Sequence, residues 1–355
     1  MEHNGIVAGG NWIRDKVRFY LRRDGIEHEG KVVYPILTEG NLVHVLATEE
    51  GTGGSPYNVL VDIGKLSVGM RLGAIGIIGD DADGMVILDD LRKLGIDEGG
   101  MRVLDTPGTS FTDVYQPVKM ANGQMEADGN RGFGHFSELT NDVLSPADFK
   151  PELIKDYKIL HVGYALLLKA LDAPDADYGT GMARVLHDAR AMGVKTSLDV
   201  VSDSNRGRFR GIVAPSLSHT DIFLPNEYET SCILGVDVKK GNVKDAAKRL
   251  FEEYGVGDTV VIHMGPDGSF GMQRGGECHM QAPQAPRNVV NKAGAGDAFN
   301  AGMIYGLHEG WDLEKSMRFG TAMATICLEG RSCTDSMANM IETLDFMRTQ
   351  PYEHL

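Results

Sequence analysis

The sequence predicts an α/β fold in which a central, mostly parallel sheet is flanked by helices and carries a small extra β-sheet. Three observations point there. From about residue 52 onward, short apolar runs alternate with helical patterns; Gly or Asn stands at the joints; and two stretches, 13–50 and 109–137, interrupt that rhythm with strand-like alternation.

Along the chain, "LGAIGIIG" reads as a strand and "GMVILDDLRKLG" as the helix that follows it. Further on, "KILHVGY", "KTSLDVV", "DIFLPN" and "TVVIHMG" read as strands, with "GTGMARVLHDARAMG" and "VKDAAKRLFEEYG" as helices between them. Strand, helix, strand is the sequence form of right-handed crossovers in a parallel sheet. Within the two interrupting stretches, "RFYLRR", "LVHVLATEE" and "TSFTDVYQPVKM" alternate as strands, and "ADGNRGFGHF" is Gly-rich. Two sequence-distant segments forming one small sheet describe a lid, whose edge or face could instead pair with another subunit. All 355 residues are read as one domain, with a lid sub-domain from segments 13–50 and 109–137. Neither an internal repeat nor a low-complexity segment stands out.

Composition narrows the function. The chain is 42% hydrophobic with a formal charge of -15 and no run of Lys and Arg, so a sequence-independent grip on nucleic acid or anionic lipid is not expected. No window approaches eighteen consecutive apolar residues, and "MEHNGIVAGG" lacks the basic and apolar regions of a signal peptide, so a soluble cytoplasmic protein is expected. Cys232, Cys278, Cys327 and Cys333 show no CxxC pair and no disulfide spacing, which fits reduced, mostly buried thiols; Cys278 beside His279 is too little for zinc.

One stretch carries most of the chemistry. "NKAGAGDAFNAGMIYGL", residues 291–307, places Gly294, Ala295 and Gly296 directly before Asp297, which opens an apolar helical run. Small residues at Ala298, Ala301, Gly302 and Gly306 describe a helix packed closely on all sides. Helix starts leave unpaired N–H groups and partial positive charge, so an anion can sit there when no side chain blocks it. Alternatively, Asp297 is only a first-turn acid worth roughly 0.5 to 2 kcal/mol to its helix. Neither GxxxxGK[ST] nor a GxGxxG after a strand occurs, so phosphate chemistry needs a different loop.

Three further stretches accompany it: "GGSPYNVLVDIGKL" at 53–66, "GIIGDDADG" at 76–84 and "LPNEYE" at 224–229. Together they resemble the ribokinase-like (PfkB) carbohydrate kinase family, in the right order and over nearly the whole chain. The Gly-Gly pair leading to Asn58 looks like the family's first signature, and Gly294 to Ile304 like its second. The resemblance implies transfer of the γ-phosphate of ATP to a primary hydroxyl of a sugar or sugar-like molecule. In that scheme Asp297 is the general base, and Gly294, Ala295 and Gly296 present amides to the transferring phosphate, which suits a reaction catalysed by positioning and charge stabilisation. Asp15, Asn11, Gly53, Gly54 and Asn58 would line the acceptor pocket, since carboxylates and amides bond neighbouring hydroxyls well.

Asn226 and Glu229 match the family's NxxE motif and would place Mg2+ and its waters near the nucleotide; a plain N-cap with an exposed Glu229 is the alternative. His263, Gly265 and Gly268 in "VVIHMGPDGSF", together with Thr321, would lie on the nucleotide side, His263 as a structural histidine. Asp199 and Arg206 in "SLDVVSDSNRGRF" resemble an Asp-Asn-Arg stretch, with surface pairing as the alternative. Asn291 stands where the family has an acidic residue, which weakens the case for a bound K+; Lys292 either replaces that cation or faces solvent. "NRGFGHF" resembles a lid strand, loosened by Gly132 and Gly134. Lid closure would exclude water, and a homodimer through the lid is implied. Two other functions stay open. One is a nucleoside kinase stacking a base on Trp12 or Phe111. The other is a catalytically silent sugar or nucleotide binder that regulates a partner, against which Asp297 counts.

Overall fold

The computed structural model describes residues 3–21, 26–28, 31–33, 44–128, 131–290 and 292–352. Its main sheet has nine strands in the order Cys278–Gln281, Ser269–Gln273, Thr259–His263, Ile222–Phe223, Lys195–Val200, Ile159–Ala165, Ile6–Gly10, Leu72–Gly79 and Asp97–Leu104. From Thr259–His263 through to Asp97–Leu104 every neighbouring pair is parallel; the two strands at the other edge are antiparallel.

Alternation within the strands explains why the sheet is buried on both faces. Ile6 and Ala8 face a core shared with helices Ser55–Lys65, Ala82–Lys93, Ala295–His308 and Leu313–Leu328, whereas Val7 faces one shared with Gly181–Ala191 and Val243–Glu252. Strands covered on both sides must be apolar at every position, which is why "IVAGG" and "LGAIGIIG" are unbroken apolar runs. The helix Ala295–His308 is packed as its small residues imply. A Cβ on Gly302 would meet the Gly320 Cα at 2.6 Å, and one on Gly306 would meet the Ser316 Oγ at 2.6 Å.

A second, five-stranded sheet joins the two interrupting segments, in the order Gly132–His135, Phe111–Ala121, Ile13–Leu21 and Val45–Gly53, with Gln124–Ala127 pairing with Phe111–Ala121. Ile13–Leu21 runs parallel to Phe111–Ala121 and antiparallel to Val45–Gly53, which sets Asp15 opposite Thr112 and Gly51. Residues 22–25, 29–30 and 34–43 of the expected lid segment, Asn130, and Asn291 lie outside the described residues. Among the described residues no helix is long and apolar enough to cross a membrane. The four cysteines are free, three of them buried and Cys278 exposed.

Candidate active site

Open parallel sheets expose their functional side chains beyond the carboxyl ends of the strands. Here Asn11 follows Ile6–Gly10, Tyr164 lies near the end of Ile159–Ala165, Asp199 near the end of Lys195–Val200, and Asn226 just after Ile222–Phe223. Helix Ala295–His308 starts over the same edge.

Gly294 caps that helix with φ 83°, a left-handed conformation suited to glycine, and contributes no capping side chain. Gly294 and Gly296 are bare for different reasons. A Cβ on Gly294 would meet the Cys333 Cβ at 2.6 Å, so its bareness serves packing, whereas a Cβ on Gly296 would meet nothing within 4 Å. The space in front of the first turn is therefore open at Gly296, and the first-turn amides point their partial positive charge into it.

Asp297 is 5% exposed and held from several sides. Tyr164 donates its hydroxyl to both carboxylate oxygens at 2.7 and 2.8 Å, and Asn58 donates its amide at 2.7 Å from 239 residues away in sequence. Asp199, also buried, lies close enough that the two carboxyls act on each other. Two buried carboxyls so placed do not both ionise. Burial, then the charges of Asp297 and Glu229, push Asp199 well above the usual carboxylate range. Burial also raises Asp297, but Tyr164, Asn58 and Asp199 oppose it. Of the two, Asp199 is the carboxyl held more firmly in its neutral form, and Asp297, with Tyr164 and Asn58 donating to it, is the one placed to carry the charge.

Behind Asp199 runs a buried chain. Ser55 donates to Asp199 Oδ2 at 2.9 Å, Ser55 Oγ lies 2.9 Å from His161 Nε2, and His161 Nδ1 lies 3.0 Å from Ser197 Oγ. Burial holds His161 down to about 3, so it is neutral.

Asn11, Asp15, Gly53, Gly54 and Asn58 lie close to one another. A Cβ on Gly53 would meet Asp15 Oδ2 at 2.6 Å, and one on Gly54, at φ 95°, would meet the Asn11 carbonyl oxygen at 1.8 Å, so the Gly-Gly pair lets the Asn11 and Asp15 segment approach. Gly54 also caps helix Ser55–Lys65. Asn11 Nδ2 and Asn58 Oδ1 are buried without a partner, which suits a ligand with both donors and acceptors. Burial pushes Asp15 up to about 6, with Arg131 lowering it, Asp297 raising it and Arg14 lowering it.

On the other side, Asn226 and Glu229 form a capping box at the start of helix Glu227–Leu234. Glu229 is not exposed; it is 4% accessible, bonded to Asn226 and Ser202, and burial lifts it to about 7. Its oxygens are thus engaged, and the described residues contain no cluster of three or more His, Cys, Asp or Glu suited to an ion. This hard-oxygen set fits a divalent ion held largely through its own waters. His263 Nε2 lies 3.0 Å from Asn300 Oδ1 and burial lowers it to about 4, a neutral structural histidine.

Some expectations need correction. Gly265 is open, but a Cβ on Gly268 would meet the Gln281 carbonyl oxygen at 2.1 Å, so Gly268 admits the neighbouring strand, not a nucleotide. Thr321 is buried and turns its hydroxyl back to the Met317 carbonyl of its own helix. Trp12 is wholly buried and donates Nε1 to the Ile75 carbonyl, so it cannot stack on a base; Phe111 stacks on Phe136. Arg206 does not pair with Asp199. It is exposed, beside Cys232 and Tyr228, at an open pocket with Arg210. Lys292 is exposed. Tyr164, Ser55 and His161 were missed. A hydroxyl-bearing residue at the end of a central apolar strand was the available signal for Tyr164.

The pattern of the pfkB family carbohydrate kinases matches residues 27–340. The chain belongs to that family. Two curated relatives are 5-dehydro-2-deoxygluconokinases: that of Geobacillus thermodenitrificans is 26% identical over 307 residues, covering 83% of this chain and 84% of the relative. That of Clostridium perfringens is 27% identical over 310 residues, covering 85% of each. Among solved structures, Arabidopsis thaliana ribokinase complexed with ribose and ATP superposes with a TM-score of 0.76 at 21% identity, over 98% of this chain and 99% of that one. A Methanocaldococcus jannaschii nucleoside kinase gives 0.70 at 16%, over 98% and 99%. These two show the ribokinase-like fold. The pfkB chain is accordingly a sugar kinase, a phosphotransferase with an alcohol acceptor, of a family that uses ATP with a divalent metal.

Proposed function

We propose that this pfkB kinase transfers the γ-phosphoryl group of ATP to a hydroxyl of a sugar or sugar derivative, with Asp297 as general base. The observation that carries the reading is the 2.7 Å bond from Asn58 to Asp297 at the foot of an open helix start, which brings the two sequence signatures together. The acceptor hydroxyl gives its proton to the Asp297 carboxylate. Its oxygen bonds to the γ-phosphorus as the bond from that phosphorus to the β–γ bridging oxygen breaks, and ADP leaves. Amides of the first turn, opened at Gly296, balance charge on the phosphoryl oxygens. Asp199 keeps its proton throughout and, with Tyr164, orients the base.

Asp15, Asn11 and Asn58 hold the other hydroxyls. Asn226 and Glu229 would hold Mg2+ through its waters, and the ion would supply charge neutralisation on the phosphates. The smaller sheet acts as a lid excluding water. Val45, Leu46, Met120, Met125 and Phe133 are exposed on it, which supports a homodimer through that sheet, to be read from the solution mass of the wild type and of Phe133→Glu.

The names of the curated relatives make 5-dehydro-2-deoxygluconate the first acceptor to test, within an ATP screen of hexoses, pentoses, sugar acids and nucleosides. In that assay Asp297→Asn should lower kcat by about 10²–10⁴-fold, the range for a general base, and leave ATP affinity within a few fold. Equal turnover of mutant and wild type would remove Asp297 from the role.

A further inference from the structure

Thr112 is the midpoint of a row that crosses the smaller sheet. It stands opposite Asp15 where Phe111–Ala121 pairs with Ile13–Leu21, and opposite His135 where Phe111–Ala121 pairs with Gly132–His135. Residues paired across strands put their side chains on one face. Thr112 Oγ1 accordingly lies 3.2 Å from His135 Nδ1, and Asp15, Thr112 and His135 share that face. Beyond Asp15 the row ends at Gly51, which has no side chain to cover it.

This face is the one turned to the acceptor. A Cβ on Gly53 would meet Asp15 Oδ2 at 2.6 Å, so the Asp15 carboxyl lies over the Gly-Gly pair that starts helix Ser55–Lys65, and from that helix Asn58 bonds Asp297 at 2.7 Å. The chain leaving His135 returns to the same place, where Asn141 donates its side-chain amide to the Asn11 side chain and to the Trp12 carbonyl.

His135 has one ring nitrogen to spare. Nδ1 is engaged by Thr112, whereas Nε2 has no hydrogen-bond partner among the described residues, although the side chain is half-buried. Burial lowers its pKa below the ordinary value and the charge of Asp142 offsets this only in part, so the ring is neutral at pH 7. Nε2 then offers one donor or one acceptor, according to which way the Thr112 proton points. A hydroxyl answers either.

We propose that His135 is a specificity-determining residue whose Nε2 hydrogen-bonds a hydroxyl of the acceptor other than the one held by Asp15. This rests on the kinase reading for the position of the acceptor. Neighbouring strands lie about 4.8 Å apart, so the backbones of Asp15 and His135 stand roughly 10 Å apart with Thr112 between them, and their side chains meet different hydroxyls of one monosaccharide.

The test takes the sugar of the acceptor screen that binds most tightly, with 5-dehydro-2-deoxygluconate tried first, and its monodeoxy analogues, each lacking one hydroxyl. Calorimetry measures their binding to wild type, His135→Ala and His135→Gln. Wild type should bind one analogue about 2- to 12-fold more weakly than the parent, the range for a neutral hydrogen bond. His135→Ala should bind parent and that analogue equally, His135→Gln should restore part of the difference through its side-chain amide, and Asp15→Asn should keep the difference while losing that for another hydroxyl. His135→Ala weakening the parent and every analogue alike, or wild type preferring the parent over none of them, overturns the proposal. If the His135 variants do not fold, the ring nitrogen resonances of the wild-type histidines decide: none moving in the saturated complex overturns it. ADP release is measured in parallel. Hydroxyl discrimination through His135 without phosphoryl transfer sinks the kinase reading and keeps the contact, while transfer with His135→Ala discriminating as wild type does the reverse.

Discussion

The carboxyl edge of the main sheet and the smaller sheet contribute to one site in opposite ways. At the main-sheet edge the reactive group is already held by the fold: Tyr164, Asn58 and Asp199 surround Asp297, and Asn226 and Ser202 surround Glu229. On the smaller sheet Asp15 is pushed up by burial, and Nε2 of His135 has no partner among the described residues. On the proposed reading the first region is organised by the fold itself, whereas the second would be completed by its ligand. Chemistry common to a family suits the former and substrate choice the latter.

Substitutions can break or sharpen that contrast. Gly296→Val should have the largest effect, lowering kcat/KM by about 10²–10³-fold, as loss of an anion-stabilising amide does, with Tm unchanged because the site there is open. A parallel fall in Tm would show that the space is structural. Its neighbour should behave in the opposite way. Gly294→Ala meets both the left-handed φ and Cys333, and should lose about 2–4 kcal/mol in urea unfolding.

Asp15→Asn should stabilise the protein above pH 6 while weakening acceptor binding. The folded chain holds that proton up to about 6, against a usual value of 3.8. Between those values the native state binds more protons than the unfolded one, so stability falls as pH rises through the window and stays lower above it. Asn removes the difference, about 3 kcal/mol in full, and unfolding at pH 5 and pH 8 reads roughly half of it, because pH 5 already lies inside the window. No pH-dependent gain would mean that Asp15 titrates normally. The smallest effect expected is about 1 kcal/mol from Asn226→Ala through the lost cap. A separate rise in the metal concentration needed for half-maximal rate would tie the same residue to the ion.

Much of this was legible in the sequence because the responsible constraints are local. Apolar strands in a doubly covered sheet must be apolar throughout, and "IVAGG" and "LGAIGIIG" show it. The left-handed cap at Gly294 needs glycine, so "GAGD" marks a helix start. Asn226 and Glu229 stand at capping-box spacing, and that geometry is present; only the burial of Glu229 was invisible, since its partner Ser202 arrives from the loop after strand Lys195–Val200. Tyr164, Ser55 and His161 were missed for the same reason. Their meaning lies in who faces them across the sheet, as Gly10 faces Gly163. Trp12 misled in the other direction, because an indole suited to stacking is filled by the core.

Trp12 also has a mechanical consequence. Only Asn11 and Trp12 separate the central strand Ile6–Gly10 from the first strand of the smaller sheet, and the indole is riveted to Ile75. The chain also passes between that sheet and the main body at Gly54, at Thr109–Ser110 and after His135, so a swing of the sheet would have to turn at those crossings as well as beyond the rivet. In such a swing Asn11 would stay with the main sheet while Asp15 moved with the smaller one, so the indole of Trp12 would mark the boundary between a fixed floor and a moving roof.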